Sequence, residues 1–462
     1  MPELFSINER LYLVNLNLIL MNKKVIFWAV ITALGGFLFG FDTVVVSGAE
    51  QAIQKYWQLG DFQHGFTIAI ALVGTMMGAF LGRMPADKLG RKKALMIVAV
   101  IFLVTSVGTA VVSNWYLFVI MRFIGGLGIG ASSVIAPIYI SEISPASFRG
   151  RLVILFQFNI VLGIVISLLS NYIIVTSYHG SWRLMLAVMA VPSLLYLILL
   201  RFVPESPRWL ILHKGKYDEA NETLKVINPD NYEEEMKSIV NSKNQEVKDS
   251  TSENLFTKRY RRLAWLAFLI AFFNQVSGIN AILYYAPSIF TMAGFDKNDS
   301  FSASFYLGLV NFAFTMLAIF LIDKMGRRKL MLIGSFGLIV SLGLVSYCFH
   351  LKNADGHYVI WLLMAYIAFF AVSQGAVIWV FLSEIFPNQV RAKGQSLGSF
   401  THWTMATLIT FLFPAVRTNV SGEYIFLFFC VMMVLQLLFV WKLMPETKGK
   451  SLENMERTLT MH

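Results

Sequence analysis

The feature that most constrains this chain is a succession of apolar segments, each about as long as a membrane is thick. A helix needs roughly 20 apolar residues to cross the hydrocarbon core of a bilayer. Charged residues make up only 14% of the 462 residues, against about 25% in soluble domains. The sequence therefore predicts an all-α integral membrane protein with about twelve transmembrane helices. The apolar runs fall at about 25–49, 64–82, 94–112, 115–138, 151–174, 182–203, 263–292, 301–322, 330–350, 358–382, 393–415 and 423–444.

Basic residues concentrate in alternate links between these runs, most densely at 83–93 and 324–329. The intervening links carry few charges, and we place Glu50, Lys55 and Asp61 in the first of them. Lys and Arg are enriched in cytoplasmic loops, so this asymmetry predicts a multi-pass protein of the plasma (inner) membrane with both termini cytoplasmic. The net charge of +11 then reflects membrane topology, and no nucleic-acid partner is expected.

Three segments lie outside the apolar runs. Residues 1–24 form an N-terminal extension, and we hypothesise that the natural start is Met21 because residues 1–20 fit no span. The polar stretch 204–262 reads as short amphipathic cytoplasmic helices, with Ala220, Leu224 and Ile227 at helical spacing; a disordered linker is the alternative. Disorder is the better prediction from Ser238 to Asn254, which has few apolar anchors. Residues 445–462 form a cytoplasmic tail.

The chain repeats itself after roughly 240 residues, which fits parallel repeats of one helical unit. ADKLGRKK at 86–93 recurs as IDKMGRRK at 322–329, and PES at 204–206 recurs as PET at 445–447. SEISP at 141–145, with Arg149 after it, recurs as SEIFP at 383–387, with Arg391 after it. We therefore predict two bundles of the same orientation, residues 25–203 and 263–444, with a substrate held between them at mid-membrane.

The repeated motifs place acids beside bases at the cytoplasmic helix ends. A substrate held between two bundles is typical of a carrier that opens to each side in turn. Ion pairs at the cytoplasmic helix ends can then latch the bundles together in the outward-facing state and break in the inward-facing state. The alternative is that Lys and Arg only anchor the loops by snorkelling. The predicted gating residues are Asp87, Arg91, Glu142, Arg149, Glu205, Arg208, Asp323, Arg327, Glu384, Arg391 and Glu446.

Six motifs, in order, resemble the signature set of the sugar porter family of the major facilitator superfamily, and the resemblance runs from about residue 25 to 453. It implies the major facilitator fold: two six-helix bundles plus short cytoplasmic helices. It also implies symport of a pentose or hexose by alternating access, most like the bacterial proton-coupled xylose and hexose symporters, without a cofactor. The motifs are GFDT at 40–43, DKLGRK at 87–92, PESPR at 204–208, QVSGIN at 275–280, DKMGRR at 323–328 and PETKG at 445–449.

Amides and aromatic rings inside the spans are candidates for binding the sugar. Sugar hydroxyls donate and accept hydrogen bonds, as amide side chains do; for any single amide, a helix–helix hydrogen bond is the alternative. The resemblance favours sugar contact, with departures from the family pattern at Asn274, Gly375-Ala376 and His402. The predicted substrate-binding or gating set is Phe39, Gln157, Asn274, Gln275, Asn280, Tyr284, Tyr285, Asn311, Gly375, Trp379, His402 and Trp403.

Two charges stand inside spans, Asp42 and Arg122. A charge at mid-membrane costs about 2.5–3.5 kcal/mol on insertion scales, so an opposite partner is expected. The second repeat has Asn280 and Met364 at the corresponding places, so the fold does not require these charges. In the resembled family an acid at the first position accompanies proton coupling. We hypothesise that Asp42 gains and loses the proton while Arg122 adjusts its proton affinity; a structural ion pair is the alternative.

Other chemistries find no support in the sequence. Cys348 and Cys430 lie in separate apolar runs, so neither a disulfide framework nor a metal site is predicted. No nucleotide loop or nucleophile–base motif points to an enzyme. The alternatives to a proton symporter are a passive sugar facilitator and a transporter-like sugar sensor. The expected partners are a monosaccharide, a proton and the lipid bilayer, and the protein is expected to act as a monomer.

Overall fold

The computed structural model describes residues 22–145, 147–178, 180–246, 254–351, 356–387 and 389–449, which are helical for most of their length. The proposed start at Met21 and most of the tail fall outside these ranges. Within these ranges twelve long helices follow one another: α1 Lys23–Trp57, α2 Asp61–Leu81, α3 Arg91–Val111, α4 Trp115–Glu142, α5 Arg149–Ser177, α6 Trp182–Phe202, α7 Arg261–Tyr284, α8 Lys297–Met325, α9 Arg327–His350, α10 Gly356–Glu384, α11 Arg391–Asn419 and α12 Gly422–Lys442.

Eleven of these helices in the described part of the chain are long and apolar enough to cross a membrane. The exception is α11, whose 29 residues include many hydroxyl side chains, His402 and Lys393. It nevertheless packs along α2 and α7 among the spanning helices. The predicted all-α membrane fold is confirmed.

The helices pack mainly within two halves. In the first half α1 lies against α5 and α2 against α4, and in the second α9 lies against α10 and α12. The halves meet along α2 with α11 and along α5 with α8. These two contacts are equivalent under the sequence repeat, since α8 corresponds to α2 and α11 to α5. The arrangement is therefore a pair of similar bundles that face each other across a pseudo-two-fold axis.

The ends of the bundles differ in charge. We call the end where α2 and α8 finish, which carries Arg83, Arg91 and Arg327, the basic end. The end where α1 finishes and α2 begins is the opposite end. At the opposite end the halves touch closely, because a Cβ on Gly65 of α2 would lie 1.9 Å from the carbonyl oxygen of Phe411 in α11. Only glycine allows this approach of two backbones.

The polar stretch between the halves is more ordered than predicted. Helices form at Tyr217–Ile227 and Tyr232–Glu246, so the prediction of disorder from Ser238 is wrong for residues 238–246; the continuation to 253 lies outside the described residues. The reason is a small apolar cluster around Trp209 and Leu224. Met236, Ile239 and Val240 pack on it at helical spacing and anchor the second helix.

Two spanning helices are irregular near their middle. In α7 the helix breaks at Gly278, which has φ +90°, and resumes at Ile279. A side chain at Gly278 would be strained by this φ and would also meet the Phe429 ring at 2.7 Å. In α10 the residues Ala371–Gly375 form a π-helical turn. Non-helical backbone at membrane depth is tolerated where it lines a cavity, and both irregularities do.

Candidate functional site

A cavity of about 180 Å³ lies between the two halves, next to the breaks in α7 and α10. It is smaller than the roughly 300–1,000 Å³ of pockets for drug-sized ligands, so it suits a compact solute. The first half contributes α1, α2 and α5, and the second half contributes α7, α8, α10 and α11. Eleven of the twelve residues predicted to bind or gate the substrate line it: Phe39, Gln157, Asn274, Gln275, Asn280, Tyr284, Asn311, Gly375, Trp379, His402 and Trp403.

Amide groups on either side of the α7 break form a connected polar wall. Gln275 donates through Nε2 to Asn274 Oδ1 at 2.8 Å and accepts from Asn280 Nδ2 at 2.9 Å. Its Nε2 also lies 3.2 Å from the nearer ring nitrogen of His402. The Gly278 break turns Gln275 and Asn280 toward each other, so the broken helix presents both amides to the cavity. Each amide retains further donor or acceptor capacity for a ligand.

Aromatic rings form the other wall. The His402 ring lies 5.0 Å from the rings of both Trp379 and Trp403, and Phe39 approaches Trp403 at 6.1 Å. Phe39 comes from the first half and the two tryptophans from the second. The cavity thus combines hydrogen-bonding amides with flat apolar faces, which is the complement of a neutral polyhydroxylated ring.

Tyr285 is the one member of the predicted set that does not line the cavity. Its side chain is fully buried, its hydroxyl donates to the Thr410 carbonyl at 2.9 Å, and its ring stacks on Phe413. It follows Tyr284 directly, but the helix is interrupted at Tyr285, and the two rings diverge. Tyr285 belongs to the contact between the α7 segment and α11.

Asp42 and Arg122 form a buried ion pair within the first half. Arg122 Nη1 donates to Asp42 Oδ1 at 2.8 Å, and the residues are 3% and 7% exposed. Among the described residues no hydrogen-bond partner is found for Asp42 Oδ2 or for Arg122 Nε and Nη2. The pair is therefore joined by one hydrogen bond rather than two, and one carboxylate oxygen has no partner among the described residues. On α1 the neighbouring Phe39 and Thr43 line the cavity.

At the basic end each motif residue pairs inside its own half. Arg91 contacts Glu142 through Nε and Nη2 at 3.0 and 3.1 Å, and its Nη1 lies 3.1 Å from Asp87. The second half repeats this with Arg327, which donates to Glu384 at 3.1 and 2.8 Å and lies 3.3 Å from Asp323.

The remaining predicted gating residues bond to backbone or sit in a short helix. Glu205 accepts from the backbone of Lys92, and Glu446 accepts from Arg327 and Arg328 at the start of α9. The side chains of Arg149 and Arg391 donate to the carbonyl oxygens of Ser141 and Phe386, and Arg208 lies in the helix Pro207–Trp209.

The halves are apart at the basic end. A second cavity of about 640 Å³ opens there between Met76, Phe80 and Arg83 of the first half and residues of α11 in the second. Trp403 borders both cavities. The smaller cavity is therefore reached from the basic end, while contact between α2 and α11 closes the opposite end.

Sequence reasoning missed a polar cluster at the opposite end. Glu50, which we placed in a link, lies within α1 and is fully buried, as is His64 at the start of α2. The prediction was wrong because hydropathy ends an apolar run at a charged residue even where the helix continues. The sequence did contain a signal for this cluster, because an acid, Glu50, and an imidazole, His64, lie at the adjoining ends of two successive spans.

The sequence of this chain is similar to known sugar transporters along most of its length. The family description "Sugar (and other) transporter" matches residues 28–459. The arabinose-proton symporter of Bacillus subtilis (strain 168) is 38% identical over 434 residues, covering 92% of each chain. The D-xylose-proton symporter of Escherichia coli (strain K12) is 34% identical over 481 residues, covering 94% of this chain and 96% of its own.

Solved structures give the same result. An inward-open structure of the xylose transporter XylE from E. coli superposes with a TM-score of 0.82 at 32% identity, covering 93% of this chain and 99% of that one. A structure of the major facilitator superfamily proton:xylose symporter XylE, bound to 6-bromo-6-deoxy-D-glucose, superposes with a TM-score of 0.76 at 33% identity. These matches confirm the predicted family and exclude the enzyme class. The chain is a multi-pass membrane protein of the major facilitator fold that belongs to the sugar transporter family.

Proposed function

We propose that the protein carries a pentose or hexose together with a proton across the membrane by alternating access. The observation that carries the proposal is the singly bonded, buried Asp42–Arg122 pair, whose acid lies on α1, a helix that also lines the cavity. The names of the arabinose- and xylose-proton symporters among its relatives support the same chemistry. The amides and aromatic rings listed above would hold the sugar.

The proton step follows from charge. A proton on Asp42 Oδ2 cancels the carboxylate's charge and weakens its attraction to Arg122. Since Phe39 and Thr43 flank Asp42 on α1, a small shift of this helix changes the cavity wall. Neutralising Asp42 on the outer side and releasing the proton inside then drives the sugar inward. The sequence of α6, which includes Val188 and Met189, offers no second acid. Proton coupling would therefore rest on Asp42 alone.

We also propose the orientation and setting. Alternate basic links support a cytoplasmic basic end, which places both termini inside the plasma (inner) membrane. The structure would then be inward-facing, with the bundles 25–203 and 263–444 separated at that end. In this state the gating acids and bases pair within each half, as a broken latch requires. A monomer surrounded by lipid is the proposed working unit.

Uptake into liposomes tests the proposal. The full chain is reconstituted, an inward-directed proton gradient is imposed, and labelled D-xylose, L-arabinose and D-glucose are compared. Accumulation above equilibrium is expected for at least one sugar. Asp42→Asn should abolish accumulation while retaining exchange of sugar for sugar. Asp299→Asn, at an exposed position, is the matched control and should behave as the unsubstituted chain.

Two outcomes contradict the proposal in different ways. Accumulation by Asp42→Asn at the level of the unsubstituted protein would remove Asp42 from the proton step. Downhill flux alone, with no alkalinisation of the medium, would make the protein a passive facilitator.

A further inference from the structure

A second buried acid–base pair lies at the opposite end, outside the sugar cavity. Glu50 of α1 and His64 of α2 are both 0% exposed, and Glu50 Oε2 lies 3.0 Å from His64 Nε2. Both belong to the first half. Within the described residues no hydrogen bond is found for Glu50 Oε2 or for either ring nitrogen of His64, so the two groups meet at ion-pair distance without an aligned hydrogen bond. Eight residues of helix, about 12 Å at 1.5 Å per residue, separate Glu50 from Asp42.

The second half covers this pair when the end is closed. The Ser288 hydroxyl donates to Glu50 Oε1, and Gln51 Nε2 donates to Ser288 Oγ at 2.6 Å. The titratable and charged groups facing the pair from the second half are Arg417 of α11 and Tyr285 after α7. Arg417 Nη1 lies 4.0 Å from Glu50 Oε1, and the Tyr285 ring meets the His64 ring edge-on at 6.1 Å.

A buried carboxylate is costly unless a neighbour balances its charge. Two candidates are present. Arg417 stands at the limit of ion-pair distance and its side chain is 18% exposed, whereas His64 Nε2 lies only 3.0 Å from Glu50 Oε2 and its side chain has no exposure. An imidazolium on His64 therefore balances Glu50 more closely than Arg417 does. Histidine is also the side chain whose charge changes between about pH 5 and 8.

Access to the pair depends on conformation. Glu50 and His64 sit on one half, and Ser288, Tyr285 and Arg417 sit on the other. When the halves part at the opposite end, the pair faces the solution on that side. When they close, the pair is enclosed, as the 0% exposure of both side chains shows.

We propose that Glu50 and His64 form a second proton-binding site, which fills from the opposite side as the halves close over it. The proton moves from a hydronium ion to the imidazole, and the carboxylate balances the new charge. On reopening the proton returns to the same side. This site thus favours closure in acid without adding to the protons transported with each sugar. It rests on the alternating access proposed above, but not on the role of Asp42.

The test measures closure against pH in the full chain carrying Asp42→Asn, so that Asp42 cannot titrate. Spin labels at Lys55→Cys and Val420→Cys, with the native cysteines changed to Ser, report the separation of the halves at the opposite end. The closing equilibrium constant should rise about tenfold for each unit fall in pH over part of the histidine range, as linkage of one proton requires. Glu50→Gln or His64→Gln should remove this dependence.

Ser288→Ala is the matched control, because it removes a contact across the same interface without removing a titratable group. Ser288→Ala should change the closing equilibrium constant by the same factor at every pH. The dependence of that constant on pH should stay the same. Melting temperatures check folding, and His64→Asn replaces any variant that fails. A label distance that does not change with pH in the Asp42→Asn protein, or a slope that survives in the His64 variants, overturns the proposal. Neither result affects the uptake test of Asp42, so the two proposals fail separately.

Discussion

A methyl group at Gly65 tests how the halves close at the opposite end. The Cβ of Gly65→Ala would lie 1.9 Å from the backbone oxygen of Phe411, and real Cβ atoms essentially never approach closer than 3.0 Å. The obstacle is backbone, so no side chain can swing away. The two helices must separate by at least about 1.1 Å, the difference between those distances. Because α2 and α11 belong to different halves, the separation opens the interface rather than a bundle core.

The cost falls on one conformation. Overpacking of a well-packed contact costs about 1–3 kcal/mol, and the contact exists only when the opposite end is closed. A difference of 1–3 kcal/mol between two states changes their ratio about 5- to 150-fold. We therefore expect Gly65→Ala to shift the protein toward the state open at the opposite end by that factor, with little change in melting temperature.

Gly126→Ala is the matched control. Its Cβ would lie 2.1 Å from the backbone oxygen of Ala71, a similar clash that also involves α2 but lies inside the first half. It should lower the melting temperature and leave the conformational ratio unchanged. Spin-label distances across the opposite end and thermal unfolding in detergent measure the two quantities. If Gly65→Ala lowers the melting temperature as Gly126→Ala does and does not alter the label distances, the closing contact is not the one described.

Three further predictions concern the basic end and the α7 break. Arg91→Gln should cost about 3–5 kcal/mol of stability, because it leaves Glu142 buried without its partner. The control Arg83→Gln, at a side chain that is 74% exposed, should cost under about 1 kcal/mol. Chemical unfolding compares the two variants, and equal costs would contradict the Arg91–Glu142 pairing. Burial would raise the pKa of Glu446, but four backbone N–H groups outweigh it and hold this pKa below its ordinary value. The Glu446 carboxylate therefore stabilises the fold fully above its unfolded pKa, and this contribution is lost as the pH falls through its folded pKa. The difference in melting temperature between the unsubstituted chain and Glu446→Gln should be present at pH 7 and shrink below about pH 4.5. A difference that widens in acid would refute the direction of this pKa shift. Gly278→Ala places a side chain at φ +90° and should cost about 1–3 kcal/mol and weaken sugar binding, measured by tryptophan fluorescence; unaltered binding would show that the break does not set the amide positions.

Patterns that depend on length and repetition were readable from the sequence. Apolar runs of spanning length become helices because no other backbone satisfies its hydrogen bonds in lipid. The repeat predicted two similar halves, and the structure places Arg91 and Arg327 in matching roles. Which acid each arginine contacts was not readable. Arg91 and Glu142 lie 51 residues apart, and their contact depends on how α3 and α4 meet.

Contacts between the halves were the hardest to predict. Hydropathy treated Glu50 as the end of a span, because it scores composition and cannot register a carboxylate whose partners lie on other helices. Tyr284 and Tyr285 show the local version of the problem. Adjacent residues on a helix point about 100° apart at 3.6 residues per turn, so resemblance at both positions does not put both rings in one cavity.

The repeat also explains why the two acid sites of α1 stand where they do. Glu50 meets Ser288, and the two are 238 residues apart, the same separation as Asp42 and Asn280. Each acid of the first half therefore corresponds to a neutral polar residue of the second. Residues equivalent under a two-fold axis can touch only near that axis, so the Glu50–Ser288 contact lies beside the axis at the closed end. A pair of acids there would repel each other and hold the halves apart. With an acid in the first half and a hydroxyl in the second, the same position forms a hydrogen bond between the halves. In the proposal above, the proton bound at the Glu50–His64 pair then determines how strongly the opposite end closes.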